Sequence, residues 1–211
     1  FHMLFSSYVM MGAERQDLLE VFSAAEDMGS SLYSHARRVA ERRMERARSI
    51  REHNEDTLSP SVRSETRAEY RRALMLYFIA DWVSFEESQV AENYRDFLAA
   101  ADGVDECSVI PTEKVSLDWP QGRIAARLRL PDSSRHAQPQ GGCPVVMLHQ
   151  GNDTVKEALI VVEDVLLDSG FAVFNVDPAG WGESRLSRNG FRSIVDAPRL
   201  VQRVEPFLES R

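Results

Sequence analysis

Apolar positions repeat with the period of a helix up to about Val104, and beyond Gly103 the repeat becomes that of a strand. Residues 16–27 set Leu18, Leu19, Val21, Phe22 and Ala25 at helical spacing. Ser30 and Ser31 are candidate caps for a long helix running to about His53. After the polar stretch NEDTLSPS, Ser59 or Ser61 beside Pro60 is the start of a helix that reaches about Phe85. Its residues Tyr70, Leu74, Tyr77, Phe78 and Trp82 form an aromatic stripe, a pattern that more often belongs to a core than to a substrate wall. A further helix is predicted over 86–101.

The second half alternates. KVSLDW, the turn PQG and RIAARLRLP read as a β-hairpin, with Val115 and Leu117 inward on one strand and Ile124, Ala126, Leu128 and Leu130 inward on the other. DSSRHAQPQGGC reads as a polar surface loop. PVVMLHQ is a continuous apolar run, as a buried parallel strand requires. Asp153 or Thr154 then starts a helix to about Ser169, and Gly170 stops it. FAVFNVD is a second buried strand, PAGWGESRLSRNG a long loop, and 191–211 a last helix with Pro198 and Pro206 breaking its interior. Hairpin, strand, helix, strand, helix is the opening of a parallel sheet. The predicted class is α/β, with an all-helical domain over 1–104 and the first half of a sheet domain over 105–211.

Composition narrows the function classes. The 211 residues are 43% hydrophobic and 27% charged, the balance of a soluble globular protein, and a net charge of −8 argues against a general nucleic-acid binder. The stretch HARRVAERRMERARSIRE does carry seven arginines against three glutamates. It reads as a solvated helix face whose arginines pair with glutamates three and four residues away. No apolar run approaches the length of a bilayer span, and 1–11, although apolar, has neither the basic start nor the small-residue cleavage site of a secretory leader. Cys107 and Cys143 lie outside any metal-ligand spacing and read as reduced thiols of a cytoplasmic protein. A chain that starts with Phe1 and ends at Arg211 inside a helical pattern is expected to be a piece of a longer protein.

Candidate chemistry lies in two loops. A glycine at the carboxyl end of a buried strand, just before a helix, sits where open α/β sheets bind ligands. In PVVMLHQGNDTVKEAL the amides of Gly151, Asn152 and Asp153 are free to point outward. The stretch lacks the G-x-G-x-x-G of dinucleotide sites and the G-K-[ST] of phosphate loops. What remains is a pair of amides, Gly151 and Asn152, for a developing oxyanion, set against the plainer reading of a simple strand-to-helix turn.

The second loop, VDPAGWGES, resembles the Asp-x-x-Gly-x-Gly-x-Ser loop after the fourth strand of α/β-hydrolases. Together with HQGNDTVKEA it is similar to the branch holding 2,6-dihydroxypseudooxynicotine hydrolase and other dienelactone-hydrolase-like esterases. That branch shows a Gly-Gly-x-Asp-Ser-x-Lys-Glu turn, where this chain has Gln150 to Glu157 with Gln150 in place of a glycine. The resemblance runs the length of the chain. It implies an N-terminal helical cap or lid, then the first half of an α/β-hydrolase sheet. It also implies a Ser, acid and His triad acting on an ester, or on a C–C bond next to a carbonyl, of a small organic substrate. Tyr77, Trp82 and Phe85 are the candidate substrate contacts of the cap.

The nucleophile of that family lies on a G-x-S-x-G elbow, and no such string occurs here. GESRL, from Gly182, is the nearest, but Leu186 holds its second glycine position, so Ser184 reads as a structural hydroxyl in a surface loop. His149, on the strand before the turn, reads as packed or hydrogen-bonded and is given no catalytic role. No catalytic residue is therefore assigned within the chain, and the serine is expected roughly 10 to 25 residues past Arg211. Three functions remain open: a fragment of a hydrolase, itself inactive; a lyase eliminating acetate from a polyketide or tetronate intermediate, whose known examples are similar in fold and cap; and a non-catalytic binding module. The expected partner is a small-molecule substrate, with no nucleic acid, no membrane, no metal and no organic cofactor; homodimerisation is left open.

Overall fold

The computed structural model describes residues 2–28, 31–54, 59–84, 87–120, 122–136, 142–149, 154–177, 180–187 and 197–210. They fall into two compact units, Phe1–Val109 and Ile110–Arg211.

The first unit is helical, with α1 His2–Met10, α2 Arg15–Met28, α3 Leu32–Glu52, α4 Pro60–Trp82 and α5 Glu87–Glu106. Helix α4 is central. It packs on both α3 and α5, and every residue from Ala73 to Ala80 is buried. Ser59 caps it by accepting the Val62 amide at 3.3 Å, and Pro60 takes the first helical position, where a missing N–H costs nothing. Ser31 stands at the N-cap of α3, but its hydroxyl makes no capping bond. The buried face of α3 is His35, Ala36, Val39, Ala40, Met44 and Ala47, and its alanines let α4 approach closely. Gly103 does not end the helical region; it lies inside α5, where a Cβ would stand 2.5 Å from the Tyr70 ring.

The arginines of α3 are paired, as the sequence suggests, but mostly with other helices rather than along their own. Arg43 donates to Asp17 of α2 at 2.6 Å and to Glu69 of α4 at 3.0 Å. Arg42 reaches Glu20 at 2.6 Å and Arg37 reaches Asp96 of α5 at 2.6 Å; the Arg37–Glu41 pair, at 3.3 Å, lies within the helix. The long guanidinium arms bridge to acids that sequence spacing alone does not bring near.

The second unit is a four-stranded sheet in the order β1, β2, β4, β3, with β1 Glu113–Trp119, β2 Gly122–Arg129, β3 Val145–His149 and β4 Ala172–Val176. β1 and β2 form the predicted hairpin, closed where Trp119 faces Gly122. β2 pairs antiparallel with β4, and β3 pairs parallel with β4 from Val145↔Ala172 to His149↔Val176. A 3₁₀ turn at Lys156–Leu159 leads into α6 Ile160–Asp168, and Gly170 (φ +88°) ends that segment. The last helix, α7, is Ala197–Glu209.

The two sheet faces differ in chemistry. Val115, Ile124, Ala126, Leu128, Phe174 and Val176 pack with Leu200 and Val204 of α7 in an apolar core. On the other face, Arg127, Arg129 and Asn175 meet Glu163 of α6.

Several sequence expectations are corrected. Leu130 is 54% exposed because it follows Arg129, the last residue paired to β4. PVVMLHQ is not a buried strand: β3 has β4 on one side only among the described strands, and its residues are half-buried or exposed. The helix after it does not start at Asp153 or Thr154; Val155 is still extended and the first turn, from Lys156, is 3₁₀. The helix expected over 86–101 runs on to Glu106. Pro198 lies in the first turn of α7, where proline is tolerated, whereas Pro206 is inside it. No helix among the described residues is long and apolar enough to cross a membrane.

Candidate functional site at the ends of the parallel strands

Strands β3 and β4 end side by side, with His149 opposite Val176. The two loops that follow come from the same edge of the sheet. Residues 150–153 lie outside the described ones, and with them Gly151 and Asn152, the amides assigned to the oxyanion. Lys156 joins the segments that follow the two strands.

Lys156 grips Asp177, the residue after β4, twice. Its backbone amide donates to Oδ1 at 2.8 Å and its ammonium Nζ to Oδ2 at 2.9 Å. Nζ also lies 2.8 Å from Glu183 Oε2 and 2.7 Å from Glu157 Oε1. The Glu183 amide closes the ring by donating to Asp177 Oδ2 at 2.9 Å. Lys156, Glu157 and Asp177 are buried. Burial by itself would lower the Lys156 pKa, but the facing Glu157, Asp177 and Glu183 outweigh it and hold the ammonium above the ordinary lysine range. Among the described residues no group of three or more His, Cys, Asp or Glu side chains is arranged to hold a metal.

The second loop turns tightly around the Asp177 carboxylate. Gly182 adopts φ +48° in the 3₁₀ turn Gly182–Ser187. Ser184 accepts the Ala125 amide at 2.8 Å and donates to the Asp177 carbonyl at 2.9 Å. The Asp177 amide in turn donates to the Ala125 carbonyl at 3.0 Å. This hydroxyl is thus a fastener between β2 and the loop. It is buried rather than on the surface, which corrects its expected location. His149, expected to be packed, is exposed at the end of β3.

A second polar layer supports the first. Asn175 donates to the Lys156 carbonyl at 2.8 Å and to Glu163 Oε1 at 2.7 Å. Glu163 also accepts from Arg127 at 3.2 Å and from Arg129 at 3.2 Å, and Arg129 reaches Asp164 at 2.9 Å. Sequence reasoning missed all of this. The available signal was a polar residue inside an apolar run, Asn175 in AVFNV and Glu163 in IVVEDV.

In the helical unit, Tyr77 is buried. Asn93 donates to its carbonyl at 2.8 Å, and the Arg37 guanidinium lies 5.8 Å from its ring centroid. Burial, with Asp96 and Glu41 adding, pushes its hydroxyl pKa up. Trp82, at the end of α4, is 45% exposed, and Phe85 lies outside the described residues. Of the three aromatics singled out, Trp82 has a ring open to solvent and Tyr77 belongs to the helical core.

No family model matches the chain, and no curated protein does. Solved structures do match. The crystal structure of 2,6-dihydroxy-pseudo-oxynicotine hydrolase superposes with a TM-score of 0.63 at 17% identity, over 84% of this chain and 46% of that one. Wild-type AbyA5 gives a TM-score of 0.61 at 19% identity over 95% of this chain and 51% of its own. A second AbyA5 structure gives 0.57 at 20% over 92% and 50%. The chain spans about half the length of the structures it matches.

Proposed function

We propose that this chain, which carries part of an α/β-hydrolase fold, belongs to an enzyme that cleaves an ester, or a C–C bond next to a carbonyl, in a small organic substrate. In this reading the chain supplies the oxyanion-binding half of the site. The backbone N–H of Asn152, with that of Gly151, receives the negative charge that develops on the carbonyl oxygen during attack. Trp82 is the aromatic residue that contacts substrate.

The observation that carries the reading is the double grip of Lys156 on Asp177. Oxyanion donors work because they are fixed before the reaction and need no reorganisation during it. Just downstream of Gly151 and Asn152 in sequence, Lys156 is fixed by a buried ion pair and a backbone hydrogen bond to Asp177, the residue after the neighbouring strand. A strand-to-helix turn with no chemical task has no need of so costly an anchor, since a buried pair is often no more stabilising than apolar packing.

The test is fluorophosphonate labelling of the full-length protein, with the adduct located by peptide mapping. A serine other than Ser184 should be labelled. Asn152→Pro, which deletes the N–H, should slow acylation by about 10²–10³, while Asn152→Ala, which keeps it, should be mild. Circular dichroism controls for distortion of the turn by proline. A folded full-length protein that takes up no label and hydrolyses no ester refutes the proposal. Release of acetate from an acyloxy substrate by such a label-resistant protein would establish elimination in its place.

A further inference from the structure

Glu157 is the member of the cluster whose role the grip of Lys156 on Asp177 leaves open. Its side chain is buried, with Oε1 2.7 Å from Lys156 Nζ. Oε2 is out of water and has no hydrogen-bond partner among the described residues. Three carboxyl groups thus crowd one ammonium, and they are not equivalent. Asp177 accepts three hydrogen bonds, from the Lys156 amide, Lys156 Nζ and the Glu183 amide. That is the role of an ionised carboxylate. Glu183 is 42% exposed and keeps its hydration. Glu157 is buried and has no second donor among the described residues, and a charge with a bare oxygen away from solvent is the most costly of the three to keep.

We propose that Glu157 is a neutral carboxylic acid in the folded protein and acts as a positioning residue. Its carbonyl oxygen steadies the Lys156 ammonium without competing for its charge, which leaves that charge to Asp177 and Glu183; at the alkaline pH where Lys156 itself would lose its proton Glu157 is ionised, and its charge then helps to hold that proton. The inference concerns the state of the clasp and stands apart from the proposed catalysis, so either can fail alone.

The groups facing Glu157 from each neighbouring element support this assignment. Burial pushes its pKa up, Lys156 beside it opposes, Asp177 after β4 pushes it further up, and Arg127 of β2 opposes. Ionising Glu157 would place a second buried anion on Lys156 in competition with Asp177, so the clasp weakens as pH rises. The sign follows from linkage. A carboxyl whose pKa is raised on folding contributes stability that is complete below the unfolded carboxyl range and is lost as pH rises through its folded value.

The experiment uses the full-length protein. Infrared spectra at neutral pH should show a protonated-carboxyl C=O band that is absent in Glu157→Gln. Hydrogen exchange then reads the clasp directly, because the Lys156 and Glu183 amides both donate to Asp177. After correction for the intrinsic pH dependence, their opening constant in the wild type should rise with pH above the ordinary carboxyl range, by up to about tenfold per pH unit, and level off where Glu157 ionises in the closed clasp. In Glu157→Gln, which mimics the neutral acid, it should stay flat. Equal pH dependence in both proteins, or no band that is lost with Glu157→Gln, would overturn the inference. If Glu157→Gln does not fold, the wild-type band decides alone. A protonated-carboxyl band at neutral pH that bleaches where the rise in amide opening levels off supports the inference, and the absence of such a band overturns it.

Discussion

A Cβ on Gly182 would lie 2.2 Å from Oδ2 of Asp177 and 2.3 Å from its Cγ. The carboxylate has nowhere to retreat, because Lys156 and the Glu183 amide hold it from the other directions. Gly182→Ala therefore meets a steric clash on top of the left-handed backbone, which alone costs a non-glycine residue about 1–2 kcal/mol. The variant should lose at least about 2 kcal/mol in urea unfolding of the full-length protein. An unchanged midpoint would mean that the loop does not wrap Asp177 in solution.

Lys156→Met removes the cation and leaves Asp177 buried without its ion-pair partner. Breaking such a pair from one side costs about 3–5 kcal/mol. Adding Asp177→Asn should restore part of the loss, because the stranded charge goes with it. Additive losses in a double-mutant cycle would argue against direct coupling of the two side chains.

Ser184→Ala strips the Ala125 amide and the Asp177 carbonyl of their shared hydroxyl. The cost should be about 1–3 kcal/mol in unfolding free energy, from a buried donor left without a partner. Fluorophosphonate labelling of the folded variant should persist. Loss of the label without loss of stability would make Ser184 a nucleophile after all.

The aromatic residues of α4 should separate by readout. Tyr77→Ala opens the helical core and should cost about 3–5 kcal/mol, seen as a fall in melting temperature. Trp82→Ala removes a ring that is already half in water and should change stability by less than about 1 kcal/mol. Its effect should fall on substrate affinity. A large drop in melting temperature for Trp82→Ala would move that ring from a contact surface into the core.

Reading the pattern of apolar residues went far for this chain, and its misses have one cause. The hairpin and β4 were visible because Val115, Ile124, Ala126 and Leu128 alternate and Ala172–Val176 is nearly all apolar. The side-by-side ends of β3 and β4 followed from the order of elements. Hidden were Glu163, Arg127 and Arg129, because charged residues read as solvent-facing when nothing shows that a helix covers them. Arg127 and Arg129 alternate with Ala126 and Leu128 on a two-residue period, which places them on the face away from the apolar core. That side is covered by α6, and the guanidinium groups are buried against Glu163. The edge exposure of β3 was hidden for a related reason: VVML is equally apolar whether it has one neighbouring strand or two.

The unlike faces of the sheet also act as a sorting device during folding. Helices α6 and α7 both bury apolar residues, Ile160 and Leu167 in one and Leu200 and Val204 in the other, so apolar burial by itself does not tell the two faces apart. Only α6 carries Glu163, the acid that both Arg127 and Arg129 require. A chain that laid α7 on that side would trap two guanidinium groups without Glu163, at several kcal/mol each. Exchanged arrangements are thereby made costly, and the right side for each helix is written in charge as well as in the handedness of the crossover.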